Sequence, residues 1–227
     1  NSYENRVYQV GIEEAKPAVT AERRITPIEA HGLRAISMGL FVERERPIIW
    51  RGPMVAKLIT EFLHNVTWGD LDFLVLDLPP GTGDVQLTLT QQVAITGGII
   101  VTTPQDVALA DVQRGVKMFQ QVEVPVLGVI ENMSGYVCTH CGTVTPIFGA
   151  GGADKMAATM GLAVLGKIAI QGELCSQGDA GLPLVAAAPD HPVSQQFRAI
   201  AAEVVRRITV GDAGPNEPVV SRTSLRN

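Results

Sequence analysis

DFLVLDLPPGTGDVQLTLTQ, running from Asp72 to Gln91, decides the fold class of this 227-residue chain. Residues 73–78 (FLVLDL) are apolar except for Asp77. An apolar run without alternation reads as a strand covered on both faces, the kind that builds parallel sheets. Pro79, Pro80, Gly81, Thr82 and Gly83 then make a stiff turn. Proline fixes the path of the backbone there, and glycine lets N–H groups come close to a phosphate. Asp84 can N-cap a helix over 85–93. Asp77 would stand at the carboxyl end of its strand, where parallel α/β sheets bind their ligands. A carboxylate at that point can hold Mg²⁺ directly or through water. It can equally cap the following turn.

The same rhythm continues outward. Residues 98–103 (GIIVTT) and 124–130 read as further buried strands, with a helix over 107–121 capped by Asp106 between them. A short helix follows residues 149–152 and ends near Gly161. Another strand covers 163–168 and a final helix 191–207. Upstream, residues 33–40 read as a short strand. Pro53 opens a helix whose apolar face is Met54, Val55, Leu58, Ile59, Phe62 and Leu63. Apolar strands alternating with helices specify an α/β fold, a doubly wound and mostly parallel sheet flanked by helices. Residues 11–208 are expected to form one domain. Residues 209–227 are polar, contain Pro215 and Pro218, and are expected to be disordered.

The strand at 124–130 leads to Cys138-Thr139-His140-Cys141. Two thiolates at this spacing reach one soft metal centre, but zinc or an iron–sulfur cluster takes four ligands. The only other cysteine, Cys175, stands alone in a Gly-rich stretch, so sharing the metal between two chains is favoured. The competing reading is a redox dithiol. That arrangement places the pair at a helix N-terminus, whereas Gly135 and Gly142 flank this pair and Thr143-Val144-Thr145-Pro146 follows it. A knuckle or hairpin loop fits better, and with it metal. His140, inside the motif, reads as a solvated loop residue.

Composition excludes some classes. A net charge of -5 argues against a broad nucleic-acid surface. No apolar run approaches a membrane span, and residues 1–10 are too polar for a secretory signal. Three cysteines with two in a CxxC suit a reducing cytoplasm.

Residues 72–91, together with 25–39 (ITPIEAHGLRAISMG), 47–55 (PIIWRGPMV) and 128–142 (GVIENMSGYVCTHCG), resemble the Mrp/ApbC family. These are iron–sulfur cluster carriers of the MinD-like, deviant Walker A ATPase class, and the resemblance covers about 11–207. It implies that Cys138 and Cys141 bridge a [4Fe–4S] cluster across a homodimer. It also implies that Asp77 is the catalytic Walker B aspartate, that Gly81 lies in the switch turn and that Asn132 reads the adenine of ATP. The implied partners are apo iron–sulfur proteins, with neither nucleic acid nor membrane. The family carries a glycine-rich phosphate loop with two lysines, and these 227 residues contain no GxxxxGK[ST] string. Hydrolysis of ATP with Mg²⁺ is therefore expected to be weak. Two other functions use parts of the same pattern. A MinD/ParA-type positioning ATPase leaves the CxxC unexplained, and a structural zinc-bridged dimer leaves 79–84 without a purpose.

Overall fold

The computed structural model describes residues 11–12, 15–41, 52–78, 89–90 and 92–211. Two compact units divide the chain: Asn1–Gln92 with Glu173–Ala188, and Val93–Gly172 with Pro189–Asn227.

In the first unit, β1 (Ile28–Ala30) and β2 (Leu33–Ala35) pair antiparallel around a two-residue turn, His31-Gly32. Both turn residues have positive φ, 51° and 75°, the requirement of a tight hairpin whose twist matches its strands. The His31 ring lies 3.2 Å from the Gly181 carbonyl oxygen and ties the turn to the loop at Gly181. The strand expected over 33–40 is therefore shorter, and Met38–Phe41 is a 3₁₀ turn. Helix α1 (Gly52–His64) forms where its apolar spacing places it. Phe62 on α1 packs at 5.7 Å from the Phe41 ring, and Trp68 donates its indole N–H to the Phe62 carbonyl at 2.8 Å.

Residues 73–78 join no helix or ladder among the described residues, which corrects the expected strand. Phe73, Leu74, Val75 and Leu76 are all exposed, Val75 by 87%. A strand exists through hydrogen bonds to a neighbour, and an apolar sequence creates a demand for cover without supplying the neighbour. Gly81, Asp84 and the start of the helix expected over 85–93 lie outside the described residues, as do Trp50, Arg51 and the tail from 212 onward; 89–90 and 92 are helical, as expected.

The second unit carries the sheet. β3 (Gly98–Thr102) pairs parallel with β4 (Val126–Val137), which pairs parallel with β6 (Val164–Ile170) and antiparallel with β5 (Val144–Thr145). Helices α2 (Asp106–Gln121) and α3 (Gly152–Met160) cover Ile100, Val126 and Val129 with Val112, Val116, Ala153 and Met156. Two further helices, α4 (Gly172–Asp179) and α5 (Leu184–Ala187), follow β6 in the sequence and, from Glu173 on, belong to the first unit. The last helix, α6 (Pro192–Val210), packs on β6, where Gly166 lies against Ile200. The mostly parallel, helix-flanked α/β sheet is as the sequence rhythm predicts. Gln105, not Asp106, is the N-cap of α2. Asp106 is the first helical residue, where a carboxylate still favours the positive end of the helix dipole. His191 caps α6 with its ring accepting from Val193 N–H at 3.2 Å, and Pro192 follows at the first helical position. Among the described residues, no helix is long and apolar enough to cross a membrane.

Candidate metal-binding hairpin

The hairpin site is built on β4. The sequence pattern ends this strand at Ile130, yet it continues through Val137. The continuation is held from outside: Tyr136 pairs with Ile170 of β6 and Thr145 of β5, and Val137 pairs with Val144. The hairpin then closes over the two cysteines. Cys138 N–H donates to the Thr143 carbonyl at 2.9 Å, and Gly142 N–H donates to the Cys138 carbonyl at 2.8 Å. Gly142 sits at φ 72°, a left-handed geometry that glycine adopts without a Cβ clash. The loop expected around the CxxC is this knuckle.

Both backbone polar groups of Cys138 are thus bonded into the hairpin, and the residue is partly buried, whereas Cys141 is exposed at the turn. Both thiols are free. Cys141 Sγ lies 3.2 Å from Thr143 Oγ1. That hydroxyl, then the Thr143 backbone and the Cys138 side chain, draw the Cys141 thiol below its usual range. Contacts that favour the thiolate also favour metal binding, because the thiolate is the form that binds. His140 is exposed in the same turn. Cys175 lies in α4, where its thiol is 3.7 Å from Asp179 Oδ2. It is a helix residue and not the loop residue its Gly-rich context suggested. Among the described residues, no three His, Cys, Asp or Glu side chains gather into a metal cage.

Upstream on β4 lies a residue that the sequence reading passed over. Glu131 is 1% exposed. Its Oε2 accepts the Ala153 N–H at 3.0 Å, and its Oε1 is 4.0 Å from Lys167 Nζ on β6. Lys167 also pairs with Asp154, whose carboxylate is the main cause of its raised pKa. Gly151, the N-cap of α3, has no side chain with which to bond the first turn. Glu131 supplies that acceptor from the sheet. A carboxylate inside the apolar string GVIENM was the visible signal, since buried charges persist only when paired. Glu131→Ala leaves the buried Ala153 N–H without a partner while Lys167 keeps Asp154. The expected loss is about 2 kcal/mol, read from urea unfolding. A loss below about 0.5 kcal/mol would show that water replaces the carboxylate at the helix end.

Asn132 follows on the same strand. Its Oδ1 accepts the Met133 N–H at 2.9 Å, and Met133 has φ 56°. The side-chain oxygen thus makes one local hydrogen bond and keeps a second lone pair. Asp77, in the first unit, is exposed and lies in segment 73–78, which joins no ladder among the described residues.

Residues 6–205 match the family described as ParA, NUBPL iron-transfer P-loop NTPase. An Aquifex aeolicus protein named iron–sulfur cluster carrier protein is 50% identical over 84% of this chain and 53% of its own length. An Arabidopsis thaliana protein named iron–sulfur protein required for NADH dehydrogenase, mitochondrial, is 45% identical over 92% of this chain and 67% of its own. The chain therefore spans between about half and two thirds of the length of these relatives. Among solved structures, an Archaeoglobus fulgidus nucleotide-binding protein in complex with ADP superposes with a TM-score of 0.65. It is 34% identical and covers 78% of this chain and 69% of that one. The Aquifex aeolicus MinD cell division protein, 16% identical, shares the fold with a TM-score of 0.52 over 90% of this chain and 80% of its own. A parallel sheet whose central strand delivers a CxxC knuckle, matched along almost its whole length, places this chain in the NUBPL iron-transfer P-loop NTPase family.

Proposed function

We propose that the chain, with 11–208 acting as one MinD-like domain, is a cytoplasmic iron–sulfur cluster carrier. Its cargo is a [4Fe–4S] cluster held between two copies and delivered to apo-proteins. The observation that carries this reading is the knuckle itself, with two free thiols on a hydrogen-bonded strand extension, one of them with a lowered pKa. Each copy offers two thiolates and a cluster needs four. Closing the site across a two-fold axis lets each copy contribute the same residues. Relatives named as carriers support the cargo.

Binding the cluster in this way makes its free energy into association free energy. Anaerobic reconstitution is expected to yield four iron and four sulfide per dimer, as the cluster formula requires. Light scattering is expected to show a dimer when loaded and a partly monomeric species after chelation. A loaded monomer would overturn the shared site. Zinc retained in place of iron, with no cluster absorption band, would favour the zinc-bridged dimer.

Nucleotide is a separate matter. Asp77 is the proposed Mg²⁺ and catalytic carboxylate, Gly81 the switch glycine and Asn132 the adenine contact. These residues do not by themselves make a nucleotide site. The 227 residues contain no GxxxxGK[ST] string, the phosphate loop that supplies most phosphate contacts. A polypeptide of these 227 residues is expected to show no micromolar ATP affinity by calorimetry and negligible hydrolysis. Micromolar binding would mean that the residues present suffice.

A further inference from the structure

The two cysteines of the knuckle are not equivalent. Cys138 is anchored by both of its backbone hydrogen bonds and is partly shielded. Cys141 is exposed, and Thr143 Oγ1 stands 3.2 Å from its sulfur. As a thiol, Cys141 donates to that oxygen. Once it binds metal it has no proton, so the hydroxyl rotates and donates to the sulfur instead. A hydrogen bond to a coordinated thiolate draws electron density from the sulfur, weakens its donation to iron and makes it a better leaving ligand. The backbone of Thr143 also closes the knuckle, through its carbonyl to Cys138 N–H, so the hydroxyl is held in place by the same turn that positions Cys138.

Resting on the carrier reading, we propose that Cys141 is the exit ligand of the cluster and that the Thr143 hydroxyl sets the rate at which it lets go, while Cys138 holds on. In the exchange, an incoming acceptor thiol forms an iron–sulfur bond as the iron–Cys141 bond breaks. The acceptor's proton ends on the Cys141 sulfur, and iron and sulfide keep their oxidation states. Thr143 is a positioning residue in this scheme: it acts through Cys141 and never touches the iron.

The test compares the full chain with Thr143→Val, which keeps the β-branched shape without the hydroxyl, and Thr143→Ser, which keeps the hydroxyl. Cluster loss to a chelator and transfer to an apo-ferredoxin are expected to slow about fivefold in Thr143→Val, the size of one modest hydrogen bond, and to recover in Thr143→Ser. The cluster potential is expected to fall in Thr143→Val and to recover in the serine variant. A second readout needs no cluster. With Co²⁺ alone bound, the thiolate-to-metal charge-transfer band is expected to move to lower energy in Thr143→Val, because the sulfur becomes the stronger donor. Equal exchange rates in wild type and Thr143→Val would overturn the exit role, as would a serine variant that behaves like valine. Failure of the wild-type chain to assemble any cluster would overturn the carrier reading and the exit role together.

Discussion

Cys138→Ala and Cys141→Ala are each expected to abolish stable cluster binding, and Cys175→Ala to leave it intact. Removing one cysteine from a two-fold site removes two of four ligands, because both copies lose the same residue. A half-ligated cluster is exposed to solvent thiols and chelators, and the apparent free energy of a thiolate metal site, about 10 kcal/mol or more, depends on the complete set. Cys175 lies in α4 and is hydrogen-bonded to Asp179. The measurement is iron and sulfide content after anaerobic reconstitution, with circular dichroism to confirm that each variant is folded. Neither cysteine variant should unfold, since Cys141 is exposed and Cys138 is only partly buried. Full iron content in Cys138→Ala would end the bridged-site proposal. Iron lost in Cys175→Ala would move a third ligand into the same chain.

Gly128→Ala is expected to give a large loss of stability from a single methyl group. Gly128 has φ 153°, and a Cβ there would lie 2.6 Å from Leu165 Cγ and 2.7 Å from the Ala163 carbonyl oxygen. The second contact is with backbone that cannot retreat cheaply, because the same carbonyl accepts the Val129 N–H at 2.8 Å. The pairing of β4 with β3 slips at this point, from Gly98 opposite Val126 to Ile99 opposite Gly128. Strained backbone and overpacking together cost about 3–4 kcal/mol. Urea unfolding should show a lower midpoint at an unchanged slope. Because β4 carries the knuckle, cluster content should fall only with the folded fraction, and the thiols of the folded remainder should load normally. A loss under about 1 kcal/mol would mean that β4 and β6 separate more readily than their ladder implies.

Between 98 and 210, strands β3, β4 and β6 and helices α2, α3 and α6 were legible because their signals are local, whereas β5, α4 and α5 were not read from the sequence. Mainly apolar runs mark β3, β4 and β6, with Lys167 the one charged residue inside β6, and Gly161 and Pro192 punctuate α3 and α6. The cysteine pair was legible for the same reason, since ligand spacing is written in the chain itself. The tertiary structure alone decided how far β4 extends, because Ser134 to Val137 look like loop until β5 and β6 supply their partners. It also decided what Glu131 does, because the N–H it caps is 22 residues away and Lys167 lies on another strand. For residues 73–78 the sequence stated a need for cover, and the described residues offer no ladder to meet it. Hydrogen-bond ladders and the partners of buried charges are non-local. A sequence pattern shows which groups require a neighbour, and only the folded chain shows which neighbour arrives.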